Sequence, residues 1–258
     1  MTKNRKEDFM TNQAEQLFKA YQTNQPLAKG VLEFSSRKDA YQVQDEVLAF
    51  KEANGEKHAG YKISLTSQET QDLFKSDSPL YGQMTDVTVK NELSLSDYNE
   101  PLVEVELVFL VDKDVNGSDS VEQIMNKCRV APGLEVPDGR YEDWFPKTTF
   151  YEVIADGAVN GAVVMGEAAK YTYEDLADVE GVLYLDGEEV KRGHSTEVLG
   201  HPVNSVKWLA EALESKGKQL TAGSFVSSGT FVLPEKLTTG TYTAKYSNIG
   251  EVTLVVKA

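Results

Sequence analysis

The sequence contains a single cysteine, Cys128, among 258 residues, which excludes a disulfide framework and any metal cluster built from cysteines alone. Positive charge is also scarce: 26 Lys and Arg residues stand against 41 Asp and Glu residues, and the formal net charge is −15. An acidic chain of this kind lacks the basic surface on which nucleic-acid binding depends, so we expect no nucleic-acid partner. An anionic substrate would need a local positive group, either a buried lysine or arginine or a bound metal ion.

Long hydrophobic runs are missing as well. The longest purely apolar stretches span a few residues, as in Val108–Val111, whereas a membrane-spanning helix needs about 20. The first residues have some basic character but no apolar stretch of the kind that a signal peptide requires. We therefore expect a cytoplasmic protein with no membrane segment.

Several familiar catalytic motifs are absent. The three histidines do not follow HExxH or another zinc spacing, and the chain has no GxSxG, P-loop or convincing GxGxxG segment. Zinc-protease, serine-hydrolase and nucleotide-binding chemistries are therefore not indicated.

The hydrophobic pattern predicts an α+β protein. Helical periodicity dominates the first part of the chain, where an apolar stripe runs from Ala40 to Phe50. After Gly60 the pattern changes to alternating strands with short helices between them. We expect residues 1–58 to form an N-terminal helical region and residues 59–258 a catalytic β-rich domain, together in one compact unit. The expected core is a mixed, mainly antiparallel β-structure.

The clearest strand, 101–111, carries two acidic side chains. Glu104 and Glu106 are two residues apart, so they project from the same face, roughly 7 Å apart. Leu102 and Val108 share that face, and two like charges there would resist ionisation unless a positive group lay between them. A divalent cation meets that need. The alternative is the solvated outer face of an edge strand.

Two further charged residues stand in apolar surroundings. Glu135 interrupts the apolar strand 131–136, and a third carboxylate would complete an all-oxygen site suited to Mg²⁺, Mn²⁺ or Ca²⁺. The alternative is a salt bridge from Glu135 to Arg140 or to a lysine. Lys62 lies in a short strand, where it could shuttle protons or pair with a substrate carboxylate, although most lysines merely solvate a face.

A segment rich in glycine and hydroxyl groups lies near the end of the chain. Within 223–230, Ser228, Gly229 and Thr230 could present backbone N–H groups and hydroxyls to a substrate carboxylate. The alternative is a serine-rich strand with a turn at each end. Earlier in the chain, Ser78–Gly82 is typical of a turn or loop.

Six segments occur in a distinctive order: AYQVQ (40–44), GYKISLTS (60–67), PLVEVELVF (101–109), APGLEVPDGR (131–140), VLGHPVNSVKWLAEAL (198–213) and LTAGSFVSSGTF (220–231). Together they resemble the 2-keto-4-pentenoate hydratase family, over about residues 10–257. The wider group includes 4-oxalocrotonate decarboxylases and fumarylacetoacetate-hydrolase-type enzymes. The resemblance implies a core of the fumarylacetoacetase C-terminal type after the N-terminal helical part.

The resemblance also implies a site and an activity. It implies a Mg²⁺ or Mn²⁺ ion held by Glu104, Glu106 and Glu135, Lys62 as the active-site lysine, and a homo-oligomer. Substrates would be 2-oxo acids or their dienol forms, which chelate the metal through the carboxylate and the 2-oxygen. The leading activity is hydration of 2-hydroxypenta-2,4-dienoate, the dienol of 2-oxopent-4-enoate, to 4-hydroxy-2-oxopentanoate. Decarboxylation of a 2-oxo-enedioate, acylpyruvate hydrolysis, and a catalytically degenerate relative that binds metal and 2-oxo acid stay open.

Two polar positions of the family pattern are altered. Leu80 stands where the family has an Asp in a Pro-Asp-Phe-Gly-type loop, and Val159 stands where it has the Ser of an Asp-Asn-Ala-Ser stretch. Both residues are expected in the substrate site, but Leu80 cannot transfer a proton and the Val159 side chain cannot hydrogen-bond. Binding of metal and 2-oxo acid is therefore better supported than hydration itself.

Overall fold

The computed structural model describes residues 3–258, with side chains described from Met10 onward. The helices are α1 (Lys3–Thr23), α2 (Arg37–Ala53), α3 (Gln68–Leu73), α4 (Val121–Lys127), α5 (Phe150–Ala155) and α6 (Pro202–Glu214). The strands are β1 (His58–Ser64), β2 (Leu80–Thr85), β3 (Glu92–Ser94), β4 (Leu102–Val111), β5 (Cys128–Pro137), β6 (Asn160–Met165), β7 (Glu180–Leu185), β8 (Glu188–His194), β9 (Phe225–Thr230), β10 (Glu235–Lys236), β11 (Gly240–Tyr246) and β12 (Gly250–Lys257).

The predicted N-terminal helical part is confirmed. The side chain of Ser36 caps α2 by accepting a hydrogen bond from the Asp39 N–H at 3.2 Å. The helix ends at Asn54, and Gly55 follows with a φ of +100°, a left-handed conformation that glycine adopts without steric cost. α2 packs against α1, α5 and β2.

The strands form two sheets. The seven-stranded sheet has the order β2-β1-β9-β4-β5-β6, with β10 beside β4, and the five-stranded sheet has the order β3-β12-β11-β7-β8. β1 runs parallel to β9 and β3 runs parallel to β12, whereas the other pairs are antiparallel. The predicted mixed, mainly antiparallel core is therefore confirmed.

The prediction of a turn or loop at Ser78–Gly82 is wrong. The turn comes slightly earlier, where the Ser76 hydroxyl donates to the Ser78 carbonyl at 2.7 Å. β2 then begins at Leu80, which pairs with Ser64 of β1. The whole of β2 is buried, so cross-strand pairing and burial override the local turn tendency of a Ser-Pro sequence.

One buried core joins the helices to both sheets. Leu17 of α1, Val43 of α2, Leu107 of β4, Leu209 of α6 and Leu254 of β12 are all essentially inaccessible to solvent and belong to one cluster. The boundary between 58 and 59 stays a prediction. In the part of the chain that the structure describes, no helix combines the length and apolar character needed to cross a bilayer.

Candidate functional site

The pairing of β4 with β5 brings three glutamates together. Glu104 lies directly opposite Glu135, and Glu106 lies opposite Gly133. Directly opposed side chains share one face of the sheet with Cβ atoms about 4.5–5.5 Å apart, and like charges in such a pair are destabilising. One carboxylate oxygen from each glutamate lies within 4.8 Å of the others. The structure therefore brings the three carboxylates together, and their mutual repulsion requires compensation.

Lys62 supplies part of that compensation. Its Nζ atom lies 2.6 Å from Oε2 of Glu135, and both side chains are at most 1% exposed. β1 and β5 are separated by β9 and β4 in the sheet order, so a flat sheet would place them about 14 Å apart. The contact therefore requires the sheet to curl around the site. Of the two alternatives for Glu135, the lysine is its partner, since Arg140 pairs with Asp156 at 2.6 Å.

In Glu106 and Glu135, one carboxylate oxygen accepts hydrogen bonds and the other has no hydrogen-bond partner. Oε2 of Glu106 accepts hydrogen bonds from the Ser227 hydroxyl at 2.5 Å and from the Gly229 N–H at 3.1 Å. Oε2 of Glu135 is bonded to Lys62. Oε1 of Glu106 and Oε1 of Glu135 are buried and have no hydrogen-bond partner. Bare buried oxygens are costly, and two of them in one cluster point to a missing positive ligand.

The electrostatics of the cluster follow from burial. Burial raises the pKa of Glu106 to about 7, the charge of Glu104 adds to the rise, and Lys62 opposes it. Burial also raises the pKa of Glu135 well above its ordinary value. For Lys62, burial alone lowers the pKa, but the three carboxylates, Glu135 foremost, outweigh that effect and hold it above its ordinary value. With all four groups ionised, three carboxylates and one ammonium leave two negative charges.

The donor set fits a divalent cation. Hard cations bind carboxylate oxygens at about 2.0–2.6 Å, so ligand oxygens on opposite sides of an ion lie about 4–5 Å apart. The 4.8 Å limit within which the three glutamate oxygens lie agrees with that span. An all-oxygen set suits Mg²⁺, Mn²⁺ or Ca²⁺ rather than zinc. The charge of the cluster, the spacing of its oxygens and its unpartnered oxygens are therefore all consistent with one bound divalent cation.

A cavity opens beside the cluster. Lys62 and Glu104 line it, and Thr230 contributes a hydroxyl side chain. Three more hydroxyl side chains line it, namely Ser64, Thr66 and Thr70. Most of the remaining wall is apolar: Leu65, Leu73, Phe74, Trp144, Phe145 and Val153. The arrangement can hold a small molecule with its polar head at the glutamates.

The two altered family positions lie in different places. Val159 lines the cavity as the last of three consecutive residues with positive φ, after Gly157 and Ala158. Leu80 is fully buried in β2 and is not among the residues that line the cavity, although its strand partner Ser64 is.

The polar groups of residues 228–230 bind mainly to other parts of the protein, although Thr230 also lines the cavity. The Gly229 N–H binds Glu106, so this donor serves the acidic cluster in this structure. Thr230 lines the cavity, but its hydroxyl donates to the Val232 carbonyl at 2.6 Å. The hydroxyl oxygen of Ser228 is buried without a partner.

Sequence reasoning missed two supporting residues. Ser227 binds Glu106, and strand alternation could have indicated it because β9 places residues 225, 227 and 229 on one face. Tyr246, from the five-stranded sheet, donates a hydrogen bond to the Gly133 carbonyl and accepts one from the Glu106 N–H at 3.1 Å. Tyr246 therefore links the five-stranded sheet to the two strands that carry the glutamates. No local sequence pattern indicates this role.

Comparison with known proteins gives concordant matches. The family model described as fumarylacetoacetate (FAA) hydrolase C-terminal matches residues 47–253. The chain is 32% identical to a 2-oxo-hept-4-ene-1,7-dioate hydratase of Escherichia coli, over 83% of this chain and 84% of that protein. It is 34% identical to a 4-oxalocrotonate decarboxylase of Pseudomonas sp. (strain CF600), over 74% of each. It is 31% identical to a 2-keto-4-pentenoate hydratase of Paraburkholderia xenovorans (strain LB400), over 84% of this chain and 82% of that protein.

A solved structure extends the match to nearly the whole chain. The 4-oxalocrotonate decarboxylase from Pseudomonas putida G7, complexed with magnesium and adipate, superposes with a TM-score of 0.89 at 27% identity. The match covers 99% of this chain and 98% of that one.

Proposed function

The chain belongs to the fumarylacetoacetate (FAA) hydrolase family, and from that premise we propose that it is a divalent-metal-dependent hydratase, a carbon–oxygen lyase. The proposed reaction converts 2-hydroxypenta-2,4-dienoate to 4-hydroxy-2-oxopentanoate. Relatives named as 2-keto-4-pentenoate hydratases and a 2-oxo-hept-4-ene-1,7-dioate hydratase support it.

One observation carries the proposal. Glu104, Glu106 and Glu135 converge within 4.8 Å with two unpartnered buried oxygens, and with all groups ionised they would exceed the charge of Lys62 by two negative charges. These three glutamates would hold Mg²⁺ or Mn²⁺. When bound, such an ion supplies Lewis-acid stabilisation for the negative charge that develops on a 2-oxo acid during the reaction.

Lys62 is the proposed proton carrier. Apart from the proposed ligand Glu104, it is the titratable side chain among the residues that line the cavity. Glu135 fixes the position of its Nζ atom at 2.6 Å, and burial excludes bulk water from the pair. Hydration of the dienol moves the 2-hydroxyl proton to C5, which gives a 2-oxo-3-ene, and water then adds with its hydroxyl at C4 and a proton at C3. We assign delivery of the proton at C5 to the Lys62 ammonium and orientation of the water to the hydroxyl of Thr66, which also lines the cavity.

Decarboxylation of a 2-oxo-enedioate is the second candidate. The observation that favours it is the match to a 4-oxalocrotonate decarboxylase over nearly the full chain with a TM-score of 0.89. Both reactions use the same metal-binding glutamates, so the cluster alone does not separate them. We also propose that the protein is cytoplasmic and forms a homo-oligomer.

A metal-dependent product assay tests the proposal. Protein stripped with a chelator and reloaded with Mg²⁺ or Mn²⁺ should consume 2-hydroxypenta-2,4-dienoate, seen as loss of dienol absorbance, and should release 4-hydroxy-2-oxopentanoate. The Glu106→Gln variant should lose this activity, whereas Glu167→Gln, at an exposed glutamate, should keep it. Release of CO₂ from a 2-oxo-enedioate without hydration would favour the decarboxylase. Turnover of neither substrate by metal-loaded protein would refute both.

A further inference from the structure

We propose that the substrate carries an uncharged hydrocarbon tail, alkyl or aryl, and that a second carboxylate at the far end of the molecule is disfavoured. This inference rests on the proposed function, because it concerns the far end of the 2-oxo acid whose head faces the glutamates and Lys62.

Apart from Lys62, Glu104 and four hydroxyl side chains, the lining of the cavity is hydrocarbon. Phe145 lies between two other rings, with ring centroids 5.4 Å from Trp144 and 6.3 Å from Phe74. Leu65 and Val153 complete this part of the wall. An apolar ligand tail would bury this hydrocarbon surface, whereas a charged tail would lose its hydration against it.

Two apolar residues of the wall are in unfavourable states: Leu73 is exposed to solvent, and Val159 has a positive φ. Leu73, on α3, remains 41% exposed at the cavity, so its side chain keeps apolar surface in water that a ligand tail could cover. Val159 has a φ of +51°, a conformation that is costly for a β-branched residue. The turn nevertheless places its side chain in the cavity wall. Both features favour an apolar ligand group.

The cavity offers no free cation to a second carboxylate. Among its described lining residues the cation is Lys62, which is already bonded to Glu135. The adjoining outer groove contains Arg192 and His194, but acidic partners within the protein hold both. These contacts are Arg192–Glu180 at 2.6 Å, Arg192–Glu189 at 3.0 Å and His194–Asp178 at 2.7 Å. Glu69 and Glu197 line the same groove, so a carboxylate there would meet further negative charge.

Calorimetric titration of the Mg²⁺-loaded protein tests the tail with three probes: pyruvate, 2-oxohexanoate and 2-oxoadipate. All three share the 2-oxo acid head, and the last two differ by a terminal methyl against a terminal carboxylate. Each buried methylene tightens binding about fourfold. We expect 2-oxohexanoate to bind at least about tenfold more tightly than pyruvate and at least about tenfold more tightly than 2-oxoadipate.

A charge-adding variant with a matched control sharpens the test. Leu73→Arg places a cation at the cavity and should reduce the preference for 2-oxohexanoate over 2-oxoadipate to about threefold or less. Val255→Arg adds the same charge at an exposed position on β12 and should leave the preference as in the unmodified protein. If pyruvate binds but 2-oxoadipate matches or exceeds 2-oxohexanoate, the inference is overturned and the proposed function stands. If pyruvate does not bind either, the proposed function fails and the inference fails with it.

Discussion

Replacing Glu106 with glutamine should raise the stability of the metal-free protein while it weakens metal binding. The side chain is buried, and its pKa rises from 4.5 to about 7, which corresponds to about 3 kcal/mol at 1.36 kcal/mol per pKa unit. Glutamine keeps the shape and the acceptor oxygen that Ser227 and Gly229 bind. Its amide N–H groups would face the carboxylates of Glu104 and Glu135 in place of a third negative charge.

The effect depends on pH with a defined sign. The folded-state pKa of Glu106 lies above the ordinary value, so the folded protein holds this proton more tightly than the unfolded chain. The resulting stability is present below about pH 4.5 and is lost as the pH rises through about 7. The raised pKa of Glu135 acts in the same direction. The raised pKa of Lys62 contributes stability that is fully present below its ordinary value of 10.5 and is lost only above it. Glu106→Gln should therefore be near neutral at pH 5 and stabilising by about 2–3 kcal/mol at pH 8.

Two measurements check this prediction. Urea unfolding in EDTA at both pH values gives the free energy of unfolding, and titration with Mn²⁺ at pH 8 should show at least about 100-fold weaker binding, or about 2.7 kcal/mol. Glu167→Gln, at an exposed glutamate, serves as the control for both measurements. A variant that is less stable at pH 8 in EDTA, yet binds Mn²⁺ within threefold of the unmodified protein, would show that Glu106 is a structural residue rather than a metal ligand.

Two further substitutions test the charged groups around the site. Lys62→Ala should lower kcat about 10²–10⁴-fold, as expected for a lost proton carrier, while metal affinity measured by titration changes much less; equal losses of both would contradict the assigned role. Asp156→Asn should lower the free energy of unfolding by about 3–5 kcal/mol, because it removes the negative charge that lies 2.6 Å from the buried guanidinium of Arg140. Urea unfolding measures that loss, and a change below about 1 kcal/mol would mean that the backbone carbonyls bonded to Arg140 suffice.

The elements with strong periodicity could be predicted from the sequence. The alternation of β4, the apolar stripe of α2 and the Asp186-Gly187 turn between β7 and β8 all appear in the structure as local patterns indicate. β2 could not be found in this way, because Ser-Pro at its start is typical of a turn and its strand character comes from pairing with β1. Tertiary pairing therefore overrides a local signal.

The candidate site was predictable as a set of residue types but not as a set of contacts. Spacing placed Glu104 and Glu106 on one face, and the isolated charge of Glu135 marked it as unusual. The contact between Lys62 and Glu135 depends on the curl of a sheet in which two strands lie between them. Tyr246 comes from the other sheet and approaches through packing alone. Such long-range contacts leave no trace in local spacing.

One oxygen of Glu106 and one of Glu135 are held by hydrogen bonds within the protein, and this indicates that both carboxylates are oriented before any metal ion binds. Ser227 and Gly229 fix one oxygen of Glu106, and Lys62 fixes one oxygen of Glu135, which sets the plane of each carboxylate. Partners of this kind orient ligands and strengthen metal binding. In each case the remaining oxygen is buried and bare. A cluster selected for stability alone would pair both oxygens or replace the carboxylates with apolar side chains, because a buried charge rarely stabilises a fold. The unpaired oxygens are therefore better explained by binding than by folding.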